Sequence, residues 1–137
     1  MTSKVIYLGD LRTECEHLQS GNKMITDDPL DNQGKAEAFS PTDTVATALA
    51  SCMFTIMGIK ARDMALDLQN SYAEVTKTME SNPRRISKIG INFFLPSGLG
   101  EQEKAIVENA AKTCPVIFSL HPDIEKAITF HYKFTSR

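Results

Sequence analysis

The side chains able to do covalent chemistry here are three cysteines, Cys15, Cys52 and Cys114, accompanied by three histidines, His17, His121 and His131. No two of the cysteines stand at the short spacing of a structural zinc site and the histidines do not complete one, so no metal is expected. Neither a dinucleotide-binding glycine fingerprint nor a phosphate loop occurs, and no cofactor is expected. That leaves thiol chemistry, in which a thiolate attacks and a second thiol closes a disulfide. Three scattered cysteines do not make the framework of a secreted disulfide protein. Residues 1–10 lack a basic segment followed by an apolar core, so the expected compartment is the cytoplasm.

Each cysteine also has a plain reading. Cys52 lies in an uncharged, apolar stretch and Cys114 at the end of an amphipathic one, where cysteine serves as a small hydrophobe. As a pair they gain a second reading: two thiols on the core faces of two helices meet where those helices pack, the geometry that an attacking and a resolving thiol need. Cys15, flanked by Glu14 and Glu16, is badly placed for a thiolate, because like charges raise its pKa, and is read as structural. A cysteine in mid-helix gains almost nothing from the helix dipole, so activating Cys52 calls for a cation from elsewhere. Lys60, Arg62, Arg84 and Arg85 read as solvated surface charge, which leaves Arg12, in a strand-like segment, as the candidate. Asp43, about two and a half turns before Cys52, could hold such an arginine or simply place charge in the first helical turn.

The elements that must position these groups follow from periodicity and punctuation. Residues 5–28 read as a hairpin reversing at Ser20-Gly21-Asn22, and residues 27–40 as an aperiodic loop. Ser40 is a candidate N-cap, with Pro41 in the first helical turn, so a helix is expected from residue 41 or 42 to about residue 65. Residues 44–59 carry no charge and are apolar on nearly every face, which predicts a buried helix. At about 24 Å that run is short for a bilayer, and a core helix is the better reading. Residues 70–80 and 85–95 alternate around Ser81-Asn82-Pro83 as a second hairpin, with Ile89, Ile91, Phe93 and Leu95 facing inward. Residues 101–113 form an amphipathic helix presenting Val107, Ala111 and Cys114, and Pro115 ends it or starts a short successor. Residues 124–134 alternate as a last strand, with Ile128, Phe130, Tyr132 and Phe134 on one side. The plan is α+β in the order ββ-α-ββ-α-β, within one domain spanning residues 1–137.

Composition closes off other classes. The chain has 137 residues, 42% of them hydrophobic and 23% charged, with a net charge of -2. This is globular composition, with no positive field to hold a nucleic acid or an anionic membrane.

The motif Phe39-Ser40-Pro41-Thr42-Asp43 followed by Ala48-Leu49-Ala50-Ser51-Cys52, with Ala110-Ala111-Lys112-Thr113-Cys114-Pro115, resembles the osmotically inducible protein C and organic hydroperoxide resistance superfamily. Arg12-Thr13-Glu14 and the loop from Thr26-Asp27-Asp28-Pro29 to Asn32-Gln33-Gly34 resemble its less-studied branch. The resemblance implies antiparallel sheets around a long central helix and an intertwined homodimer with its active sites at the subunit interface. It also implies a peroxidase without metal or organic cofactor, in which the Cys52 thiolate attacks the peroxide oxygen of an organic, fatty-acid-type hydroperoxide and becomes a sulfenic acid. Cys114 then closes a disulfide with it and an external dithiol reopens it. By the same resemblance Arg12 and Asp43 would serve the thiolate, and Met53, Phe54, Ile56 and Phe118 would wall the substrate site. In the well-studied members a glutamate after the motif proline pairs with the catalytic arginine, whereas here that residue is Thr42. This departure favours a rival reading, a non-catalytic stress protein that binds a small hydrophobic ligand at the dimer interface.

Overall fold

Left-handed residues set the first reversal of the chain. Strands β1 (Ser3–Gly9), β2 (Arg12–His17) and β3 (Lys23–Asp27) form an antiparallel sheet in that order. The sequence predicts one hairpin here; the structure has three strands. The additional reversal is at Asp10 and Leu11, with φ of 53° and 62° after Gly9 at 85°. Two consecutive left-handed residues make the two-residue turn whose twist suits a hairpin. Leucine is no turn former, so its type conceals this turn.

The computed structural model describes residues 1–134. The chain gathers into two compact units, Met1–Val45 and Ala46–Arg137. In the first, the segment after β3 contains a short 3-10 turn, Leu30–Asn32, and is stitched by Gly34 N–H to Pro29 O and Ala36 N–H to Asp28 O. Helix α1 (Pro41–Asp63) opens in the first unit and continues in the second. Its start is capped as the sequence predicts: Ser40 Oγ accepts Asp43 N–H at 3.0 Å, and Asp43 Oδ2 accepts Ser40 N–H at 3.0 Å. This is a reciprocal capping box with aspartate at the third helical position.

The second unit holds β4 (Tyr72–Glu80), β5 (Arg85–Pro96), α2 (Glu101–Ala111), α3 (Pro115–Ser119) and β6 (Glu125–Phe134). β4 and β5 form the predicted hairpin, but β6 pairs with β5 in parallel, because α2 and α3 carry the chain back before it pairs. The element order is thus βββ-α-ββ-α-α-β, still an α+β fold. Ile89, Ile91, Phe93 and Leu95 are fully buried, every second residue of β5. Phe93 takes the edge of Phe54 at 4.9 Å and stacks on Phe130 at 5.2 Å. Ile128, Phe130 and Tyr132 pack on this core. The side chain of Phe134 lies outside those described.

One expectation about α1 is corrected. The helix buries a single stripe, Ala46, Leu49, Ala50, Met53, Met57 and Ala61, all but Ala61 in the core with β5 and α2. Cys52, Phe54 and Ile56 beside the stripe are partly buried, whereas Ser51, Thr55 and Gly58 are exposed and Ile59 is 54% exposed. A three-stranded sheet and two shorter helices leave part of so apolar a helix uncovered. By length and composition α1 also meets the criteria for a membrane span, though its buried stripe is the helical spacing of a core helix.

Candidate functional site: a thiol pair and a guanidinium clamp

Pro115 decides where Cys114 sits. A residue before proline is pushed out of helical conformation, and Cys114 is extended at φ -67° and ψ 141°, between the end of α2 and the start of α3. There it acts as the N-cap of α3, its Sγ accepting Ile117 N–H at 3.4 Å. Pro115 supplies the preset first turn. The thiol is fully buried beside Val107 and Ala111.

Cys52 flanks the buried stripe of α1, next to Met53, and is partly exposed. It packs against the core cluster that contains Cys114, near enough for its charge to be felt at the Cys114 thiol, so the structure brings the two predicted thiols together. Both are free. Burial above all pushes the Cys114 thiol up, against the opposing pull of the Ile117 N–H; the hydrogen bond to Cys52 and its charge push further up.

Arg12 and Asp43 both belong to the first unit. The Arg12 guanidinium is clamped between carboxylates: Nη1 donates to Glu37 Oε1 at 3.2 Å and lies 3.9 Å from Asp27 Oδ2. Asp43 is engaged with Ser40 at the helix start. Thr42 sits within 3.2 Å of Ser40, hydroxyl to hydroxyl.

Asp27 was not singled out in the sequence. Its side chain is fully buried, and it accepts Glu37 N–H at 3.1 Å and Asp28 N–H at 2.9 Å. The Glu37 N–H holds its carboxyl below the usual range despite burial, helped by Asp28 N–H and the Arg12 charge. The two carboxylates are far apart in sequence, and only the register Arg12↔Asp27 between β2 and β3 brings the first beside the guanidinium. The available signal was an acid at the close of a strand facing an arginine at the start of another. Cys15 also lies on β2, opposite Met24, with Sγ 3.8 Å from the Thr13 hydroxyl.

The four apolar wall candidates lie in different surroundings. Met53 is fully buried in the core. Phe54 lines a cavity of about 400 Å³ with Gly58 and Arg62. Ile56 lines a groove of about 470 Å³ with Ile59 and Ile106 of α2. Phe118, on α3, is 75% exposed. Among the described residues no group of His, Cys, Asp and Glu could hold a metal ion.

Comparison with known proteins places these features in context. The family model described as OsmC-like protein matches residues 34–128, a stretch that contains both Cys52 and Cys114. A crystal structure from Psychrobacter arcticus, provisionally named an osmotic stress induced and detoxification response protein, is 56% identical; the match covers 96% of each chain with a TM-score of 0.93. An organic hydroperoxide resistance protein OsmC from Legionella pneumophila shares the fold at 16% identity and a TM-score of 0.74, covering 96% of this chain and 97% of that one. One from Elizabethkingia anophelis, named an organic hydroperoxide resistance protein, does so at 13% identity and 0.75, covering 97% of each. No curated protein matches the sequence.

Proposed function

Because the chain belongs to the OsmC-like protein family, we propose that it is a cytoplasmic, thiol-dependent peroxidase that reduces organic hydroperoxides in stress defence. The observation that carries this reading is the proximity of Cys52 to the buried, proton-retaining Cys114 in one core cluster. The names of the Psychrobacter, Legionella and Elizabethkingia proteins support it in kind.

In the proposed cycle the Cys52 thiolate attacks the distal oxygen of the hydroperoxide. An S–O bond forms, the O–O bond breaks, and the alkoxide leaves and takes a proton to become the alcohol. The Cys114 sulfur then attacks the sulfenic sulfur; a disulfide forms and the sulfenic hydroxyl departs as water with the Cys114 proton. An external dithiol reduces the disulfide, restoring both thiols and becoming oxidised itself. Arg12 is proposed as the cation that favours the thiolate, Asp43 as a secondary acid, and Met53, Phe54, Ile56 and Phe118 as apolar surroundings.

We also propose a homodimer. Val45 and Ile59 on α1 and Val5, Tyr7 and Leu8 on β1 are large apolar side chains left exposed, more than scattered surface residues explain. The test of function is turnover of cumene hydroperoxide with excess dithiothreitol. Cys52→Ser is expected to abolish it, Cys114→Ser to slow it, and Arg12→Ala to lower the rate. The rival reading, a binding module without catalysis, is favoured by Thr42 at the glutamate position. It gains the field if Cys52→Ser leaves turnover unchanged while hydrophobic molecules co-purify.

A further inference from the structure

The cavity at the C-terminal end of α1 is lined by neither thiol, and Phe54 is the one lining residue it shares with the apolar surroundings proposed for the thiol cycle. Its volume, about 400 Å³, lies within the range of small-molecule sites. Phe54, Leu66 and Leu68 give it an apolar wall, and Arg62, Gln69 and Ser71 are its polar groups.

Three observations converge on a ligand. Ser71 Oγ is buried and has no hydrogen-bond partner among the described residues; an unsatisfied buried hydroxyl destabilises a fold unless something completes it. Gly58 stands in mid-helix, where glycine is weaker than alanine, yet a Cβ there would meet nothing within 4 Å. Packing within the chain therefore does not require glycine, and its missing side chain keeps the mouth of the cavity open. Arg62 makes no ion pair among the described residues. Its place in the last turn of α1 complements the helix dipole, a role that Lys60 fills equally and that accounts for neither the orphan hydroxyl nor the open glycine.

The only formal charge in the lining is positive, the adjoining wall is apolar, and a guanidinium fits a planar carboxylate with two parallel hydrogen bonds. We propose that this cavity binds a small amphipathic carboxylate. Arg62 and the Ser71 hydroxyl donate to the carboxylate oxygens, the Gln69 amide adds a donor at the rim, and a short acyl chain lies along Phe54, Leu66 and Leu68.

The test is titration of the full-length protein with sodium octanoate, followed by calorimetry and by the backbone amides in nitrogen-15 NMR. Saturable shifts centred on Gly58, Arg62, Gln69 and Ser71 are expected, with none from octylamine. Arg62→Gln is expected to raise Kd about tenfold or more, and Gly58→Leu to remove binding while leaving the reactivity of Cys52 unchanged. Ser71→Ala separates ligation from structure: it should weaken octanoate binding severalfold yet leave the unliganded protein melting no lower than the wild type. Equal binding of octylamine, an unchanged Kd for Arg62→Gln, or shifts dispersed over the molecule would overturn the proposal. So would amides of Gly58 and Ser71 that respond to dilution and not to octanoate, which would show that a second copy of the chain fills the cavity.

Discussion

Cys114 is held in its proton-bearing state by where it lies more than by its partner. Burial is the leading cause of its raised pKa, and the hydrogen bond to Cys52 comes behind it. Cys52→Ser is therefore expected to bring the Cys114 pKa down only part of the way, as read from iodoacetamide alkylation rates against pH. The linked effect on stability has a definite sign. The unfolded thiol ionises around its ordinary value of 9.0 and the folded one at higher pH, so this group's contribution is intact below 9.0 and stability falls as pH rises above it. Asp27 acts in the opposite range. Its folded pKa lies below the ordinary 3.8, so its contribution is present above that value and is lost as pH falls below it. Asp27→Asn is expected to lower the melting temperature at neutral pH and to flatten the acid limb of stability; an unchanged acid limb would contradict the account.

At the scale of elements, the start of α1 and the core strand β5 are where sequence and structure agree most closely, because each rule involved is local. Ser40, Pro41 and Asp43 announce the helix, and the reciprocal bonds between Ser40 and Asp43 are what that spacing predicts. Ser40→Ala is expected to cost about 1 kcal/mol in urea unfolding, and Phe93→Ala about 3–5 kcal/mol, since its ring is fully buried between Phe54 and Phe130. The Cys-Pro junction was legible for the same reason, as Pro115 fixes both its own backbone and that of Cys114. What was hidden depended on long-range pairing. The left-handed Leu11 gave no turn signal, the parallel placement of β6 is a matter of which edge the returning chain finds, and the Asp27–Arg12 pairing exists only through the register of β2 with β3.

For the molecule as a whole, the α1 sequence overstated how much of that helix one chain can cover. Residues 44–59 lack charge on every side, but only the stripe from Ala46 to Ala61 is buried. A homodimer that covers the remaining face accounts for this, and Ile59→Glu, a charge placed on that face, is expected to shift the sedimentation coefficient from dimer toward monomer; a wild-type protein that sediments as a monomer would contradict it. The central claim, that Cys52 and Cys114 act as one redox pair, is tested most directly by counting free thiols after about one equivalent of cumene hydroperoxide. The account predicts that two of the three thiols disappear, return with dithiothreitol, and that Cys114→Ser forms no intramolecular disulfide. Retention of all three thiols in the wild-type protein would contradict it.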